Sequence, residues 1–87
     1  MTIPEISRFY GIIIKMYFNE HNPPHFHVEY QDYEAIVNIE TGELTGKMSR
    51  RALGLVYDWL DQNKEALLEN WKRIEERKPL KRIKPLD

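Results

Sequence analysis

The sequence predicts an α+β fold: a three- to four-stranded, mainly antiparallel sheet packed against two C-terminal helices, with an extended C-terminal tail. Three observations lead there. The first half of the chain is rich in β-branched and aromatic residues that alternate with a period of two, while the second half repeats apolar residues with a period near 3.6. Glycine, proline, asparagine and aspartate cluster where one pattern gives way to the next. With 87 residues, 41% of them hydrophobic and 31% charged, the chain has room for one hydrophobic core and the composition of a folded protein.

The first strand is expected over residues 8–18. Alternation places Tyr10, Ile12, Ile14, Met16 and Phe18 on one face and Phe9, Ile13 and Tyr17 on the other, so both faces are apolar and Gly11 reads as a bulge or a close backbone approach. Asn19 to Pro24 is a loop stiffened by Pro23-Pro24, whose peptide bonds are expected to be trans, cis being found in about 5% of such bonds. Strands over 25–30 and 33–40 form a hairpin around Gln31-Asp32. In that register His25 lies opposite Asn38 and His27 opposite Ile36. Phe26, Val28, Tyr30, Tyr33, Ala35, Val37 and Ile39 point inward, and His25, His27, Glu29, Glu34, Ile36 and Asn38 outward. Residues 44–48 suit a short fourth strand after the Thr41-Gly42-Glu43 turn. Ser49 is a helix cap, and the apolar series Ala52, Leu53, Val56, Trp59, Leu60, then Leu67, Leu68, Trp71, Ile74 predicts helices over 49–62 and 63–77, or one helix bent near Asn63. Pro79 ends the helical pattern. The tail, residues 78–87, either adds an edge strand or lies extended along the body.

The chain has no cysteine, which excludes disulfides and thiolate metal ligands and points to a reducing compartment. No apolar run is long enough to cross a bilayer and the start lacks the pattern of a signal peptide, so a cytoplasmic location with no membrane partner is expected. The net charge of -1 conceals an asymmetry: residues 1–49 carry three basic and seven acidic side chains, residues 50–87 ten basic and seven acidic. Most of the basic excess falls on Lys72, Arg73, Arg77, Lys78, Lys81, Arg82 and Lys84. It reads as a solvated helix end and tail, or as a surface for phosphate or an acidic partner.

All three histidines, His21, His25 and His27, fall within His21-Asn22-Pro23-Pro24-His25-Phe26-His27. His25 and His27 project from one face of a strand, the arrangement that lets two imidazoles take adjacent positions on a divalent transition metal, and His21 at the end of the loop is the candidate third ligand. Glu29 continues the row and can supply a carboxylate. The structural alternative has His21 or His25 bonded to loop carbonyls and His27 packed on the sheet. The same histidines are candidates for catalysis as general acid and base at an RNA phosphodiester, with Arg8, Lys15, Arg50 or Arg51 as phosphate or partner contacts. The aromatic residues fit a core better than a base-stacking surface, and no phosphate loop, nucleophile elbow or paired catalytic carboxylates occur.

Pro4-Glu5-Ile6-Ser7-Arg8-Phe9-Tyr10-Gly11, the His21 to Val28 stretch, Ile39-Glu40-Thr41-Gly42-Glu43, Arg50-Arg51-Ala52-Leu53, Leu67-Leu68-Glu69-Asn70-Trp71 and the closing Pro79-Leu80 to Pro85-Leu86 together resemble the bacterial domain-of-unknown-function 4160 family. The resemblance extends over essentially the whole chain. It implies a component of a two-gene, toxin–antitoxin-like module, encoded beside a member of the domain-of-unknown-function 2442 family, and hence a small cognate protein as partner. It transfers no catalytic residue.

Overall fold

The computed structural model describes residues 4–87. Tyr10 and Gly11 take positive φ, 52° and 80°, as a tight two-residue hairpin turn requires, and fold the first apolar run back on itself. The expected strand over 8–18 is therefore two strands, β1 (Glu5–Phe9) and β2 (Ile12–Lys15). The turn also resets the alternation. Phe9, expected on the face opposite Ile12, pairs with it and shares its inward face, whereas Tyr10 and Phe18, expected on the face of Ile12, are exposed. A register shift between Glu5 and Ser7 lets consecutive Ile6 and Ser7 both be buried.

β3 (His25–Tyr30) and β4 (Tyr33–Asn38) pair in the expected register, His25 opposite Asn38 and His27 opposite Ile36. The inward set holds except at its end, where Tyr33 is exposed. β5 (Leu44–Gly46) is shorter than expected and completes an antiparallel sheet in the order β1-β2-β3-β4-β5, so the described residues form five strands where three or four were expected. At Gly46, φ is 110° and an added Cβ would stand 2.7 Å from the Glu34 carbonyl oxygen, which explains why only glycine fits there.

Helix α1 runs over Arg50–Glu75 as one element in place of the two expected. The Ser49 hydroxyl accepts the Ala52 amide at 3.1 Å, as the cap was expected to do. The bend falls at Asn63, whose φ and ψ of -129° and 18° are not helical and whose side-chain amide donates to the Trp59 carbonyl at 2.9 Å. The apolar stripe continues across this point, so both halves face the same sheet. At the C-terminus Arg77 adopts φ 57°, its amide bonding Ile74 and that of Lys78 bonding Arg73. These are the two hydrogen bonds of a Schellman stop, with arginine where glycine is usual.

Buried Ile12, Ile14, Phe26, Val28 and Val37 of the sheet meet Val56, Trp59, Leu67 and Trp71 of α1 in one core. The tail forms no strand and lies along the body. Asn70, itself buried, donates to the Lys81 carbonyl at 2.9 Å and accepts its amide at 3.0 Å, and the Ile83 amide bonds Ile6 of β1 at 2.8 Å. Among the described residues no helix is long and apolar enough to cross a membrane.

Glu5, on this same edge, is held by two guanidinium groups, Arg8 at 2.6 Å and Arg82 at 3.3 Å. The Arg8 hydrogen bond is the main cause keeping the Glu5 carboxyl below its usual range; desolvation opposes it and Arg82 adds to it. A carboxyl depressed in the folded state adds stability above its unfolded value, about 4.3, and loses that contribution as pH falls through the folded value. Wild type should thus have the higher urea midpoint at neutral pH, and the gap to Glu5→Gln should narrow at an acidic pH below the unfolded value. An equal gap at both pH values would mean that Glu5 acts through something other than its charge.

Candidate metal centre

Two features of the chain bring the histidines together. Residues two apart on β3 share a face, so His25 and His27 both project from the side opposite the buried Phe26 and Val28, and their rings lie 5.5 Å apart. The loop before β3 then turns back over them, with a cis bond between Asn22 and Pro23 where trans was expected. The Asn22 side-chain oxygen accepts the Trp71 indole N–H at 3.1 Å, and the His25 ring lies 5.2 Å from that indole, which ties the loop and the strand to the C-terminal half of α1.

This loop presents Glu20 to both imidazoles. One carboxylate oxygen is hydrogen-bonded to His27 Nε2 and the other lies 3.4 Å from His25 Nε2. His25 Nδ1 lies 2.8 Å from the Pro23 carbonyl oxygen. A carbonyl only accepts, so Nδ1 carries a proton, and in the neutral ring Nε2 is then the lone-pair nitrogen that faces Glu20. That is the orientation a metal-binding histidine takes when a backbone carbonyl fixes its tautomer. One donor atom from each of Glu20, His25 and His27 lies within 4.8 Å of the others, and all three residues are half-buried. Nitrogen and oxygen ligands sit about 2.0–2.2 Å from zinc, so shifts of about an ångström would close this set on one ion.

The third member of the set differs from expectation. His21 is exposed, in the same loop but outside the group, beside a depression with Phe18, Glu75 and Arg77. Glu29, the carboxylate expected from the strand pattern, pairs with Lys15 at 2.8 Å instead. The signal for Glu20 was its place in the histidine loop, but strand periodicity says nothing about which way a loop side chain turns.

A protein-family model described as a domain of unknown function (DUF4160) matches residues 11–72. The chain belongs to this family. The stretch matched in this DUF4160 chain contains Glu20, all three histidines and Trp71, while β1 and the tail lie beyond it. No curated protein and no solved structure matches the DUF4160 chain significantly.

Of the four basic residues considered as phosphate contacts, the structure brings only Lys15 next to the histidines. It is the cross-strand partner of His27, but its ammonium is engaged by Glu29, whose hydrogen bond is the main cause raising the Lys15 pKa; desolvation opposes that rise. Arg8 is bound to Glu5. Arg50 and Arg51 are exposed at the start of α1, some twenty residues before the Trp71 that packs on His25, or about 30 Å along the helix. None of these four therefore offers an unengaged cation beside the cluster. Beside it runs an open groove of about 310 Å³, lined by Tyr17, His27, Glu34, Ile36 and Thr45 among others, and the Tyr17 ring meets His27 edge-on at 4.7 Å.

Proposed function

We propose that this protein binds a divalent transition-metal ion through Glu20, His25 and His27. The observation that carries the reading is the shared carboxylate: two imidazole Nε2 atoms converge on Glu20, one of them with its tautomer fixed by the Pro23 carbonyl. Two histidines and one carboxylate suit zinc or iron(II), and leave coordination positions for water or an exogenous ligand on the groove side. The half-buried setting favours the charge-neutralising role of a cation between a carboxylate and two imidazoles.

Metal content measured by mass spectrometry on untagged protein, together with competition titration against a chelator, tests this. Near-stoichiometric ion is expected in wild type and in His21→Ala. Occupancy should be lost in His25→Ala combined with His27→Ala, and affinity should drop at least tenfold in Glu20→Gln. Metal-free wild type, or a loss in His21→Ala equal to that in Glu20→Gln, would sink the assignment. Affinity should also weaken at acidic pH, because protons compete for the ligand nitrogens.

A second reading is supported by the open outer face of the sheet, where Tyr17, Ile36 and Thr45 line the groove beside the metal ligands. Here the protein is the cytoplasmic half of a two-gene, toxin–antitoxin-like module and binds a small cognate protein. Co-expression with the neighbouring gene product should then give a complex that survives size exclusion; separate elution of the two proteins would remove this reading and leave the metal reading intact.

A further inference from the structure

The basic excess of the C-terminal half is gathered by the fold into one place. A groove of about 440 Å³ runs between the start of β1, Phe18 and the segment that follows α1, with Arg77, Lys78, Lys81 and Arg82 around it against a single carboxylate, Glu5. Glu5 is already engaged by Arg8 and Arg82, and Lys78 pairs with Glu76 at 3.2 Å. Arg77 and Lys81 have no ionic partner among the described residues, and both are exposed. Arg73 donates to the Pro79 carbonyl at 3.2 Å, so a further cation stands behind the groove wall. At the rim the Phe18 ring remains 37% exposed.

We propose that this groove binds single-stranded nucleic acid, with phosphates on Arg77, Lys78, Lys81 and Arg82 and a base stacked on Phe18. A row of cations alone would suit any polyanion. The exposed aromatic ring at its edge is what selects a nucleic acid over an acidic polypeptide, since every base offers a π face and a carboxylate offers none. Single strands are favoured over duplex because only unpaired bases reach such a ring. The groove adjoins the depression that Phe18 and Arg77 share with Glu20 and His21, but the proposed contacts use none of Glu20, His25 and His27 and do not depend on their holding a metal. Its phosphate contacts come from residues other than Arg8, Lys15, Arg50 and Arg51.

Fluorescence anisotropy with labelled ten-nucleotide oligouridine and oligodeoxyuridine tests this on the full chain in the presence of chelator. Both should bind, the RNA and DNA arms showing whether the 2′-hydroxyl contributes, with a slope of log affinity against log salt of about -1.5 to -3 for two to four phosphate contacts. Phe18→Ala should weaken binding about tenfold. Arg77→Gly should weaken it too while suiting the left-handed backbone at this position, so that lost affinity cannot come from lost folding. Lys47→Glu, directly after β5 at the opposite edge of the sheet from β1, should change affinity by less than twofold. No saturable binding, an equal loss in Lys47→Glu and Lys81→Glu, or full displacement by polyglutamate with no effect of Phe18→Ala would each overturn the proposal.

Discussion

Trp59→Ala should cost about 3–5 kcal/mol of folding stability, the largest effect expected of any single truncation in this core. Trp59 is fully buried, its ring centroid 5.5 Å from that of Phe9 on β1 and 5.7 Å from that of Phe26 on β3. Its indole N–H donates to the Lys84 carbonyl at 2.8 Å, so the same side chain fills the space between helix and sheet and fastens the tail. Removing it leaves a cavity that three different elements would have to close, and strands held in a hydrogen-bonded ladder cannot collapse far. At roughly 0.05–0.15 kcal/mol per residue, a chain of 87 residues has about 4–13 kcal/mol in total, so the variant should sit near its unfolding threshold. Urea denaturation followed by far-ultraviolet circular dichroism measures this. Trp59→Phe, which keeps most of the packing but leaves Lys84 without its donor, should cost about 1–2 kcal/mol. A loss below about 1.5 kcal/mol for the alanine variant would show that the site relaxes around the hole.

Asn70→Ala should release the tail, at a cost of about 2–4 kcal/mol, because one buried side chain satisfies both the N–H and the C=O of Lys81. Asparagine on the buried face of a helix looks like an error in the apolar pattern until the tail is in place; its amide then pairs with a backbone amide much as a neighbouring strand would. With the clamp gone, the Ile83 amide should lose its protection from hydrogen exchange, and trypsin should cut after Lys81 and Arg82 faster than in wild type. Unchanged cleavage and exchange would show that Ile83 and Trp59 hold the tail without Asn70. Asn70→Asp separates the contributions, keeping an acceptor for the Lys81 amide and removing the donor to its carbonyl.

The parts of this structure that the sequence foretold are those governed by periodicity. The register of β3 on β4, the outward placement of His25 and His27, the Ser49 cap and the helix stop before Pro79 all follow from rules that act within a few residues. The hairpin at Tyr10-Gly11 was hidden because strong strand formers surround it on both sides, and tyrosine seldom takes the left-handed conformation that the first turn position demands. The α1 bend was legible in position, since Asp61-Gln62-Asn63 breaks the helical composition, but its outcome was not. Whether such a break ends a helix depends on the Asn63 side chain replacing a lost backbone bond. At the candidate metal centre, the two strand histidines could be placed and the loop residues could not. Glu20 and His21 are adjacent in sequence, and a turn of the loop brings one to the imidazoles and leaves the other in solvent.

Every strand of this sheet pairs only with its neighbours in sequence, and the ties that span almost the whole described chain run from Arg82 and Ile83 back to Glu5 and Ile6. On a ribosome the two kinds of contact become available at different times. The meander needs only short loop closures and can assemble as it emerges, but its apolar inner face stays bare until α1 follows, and the edge of β1 stays open until the segment after α1 is made. The nascent chain therefore passes through an interval in which a nearly complete sheet carries one uncovered face and one unguarded edge, the condition in which strands recruit other chains. The tail thus works as a closing latch: a segment made after α1 seals a strand made before β2.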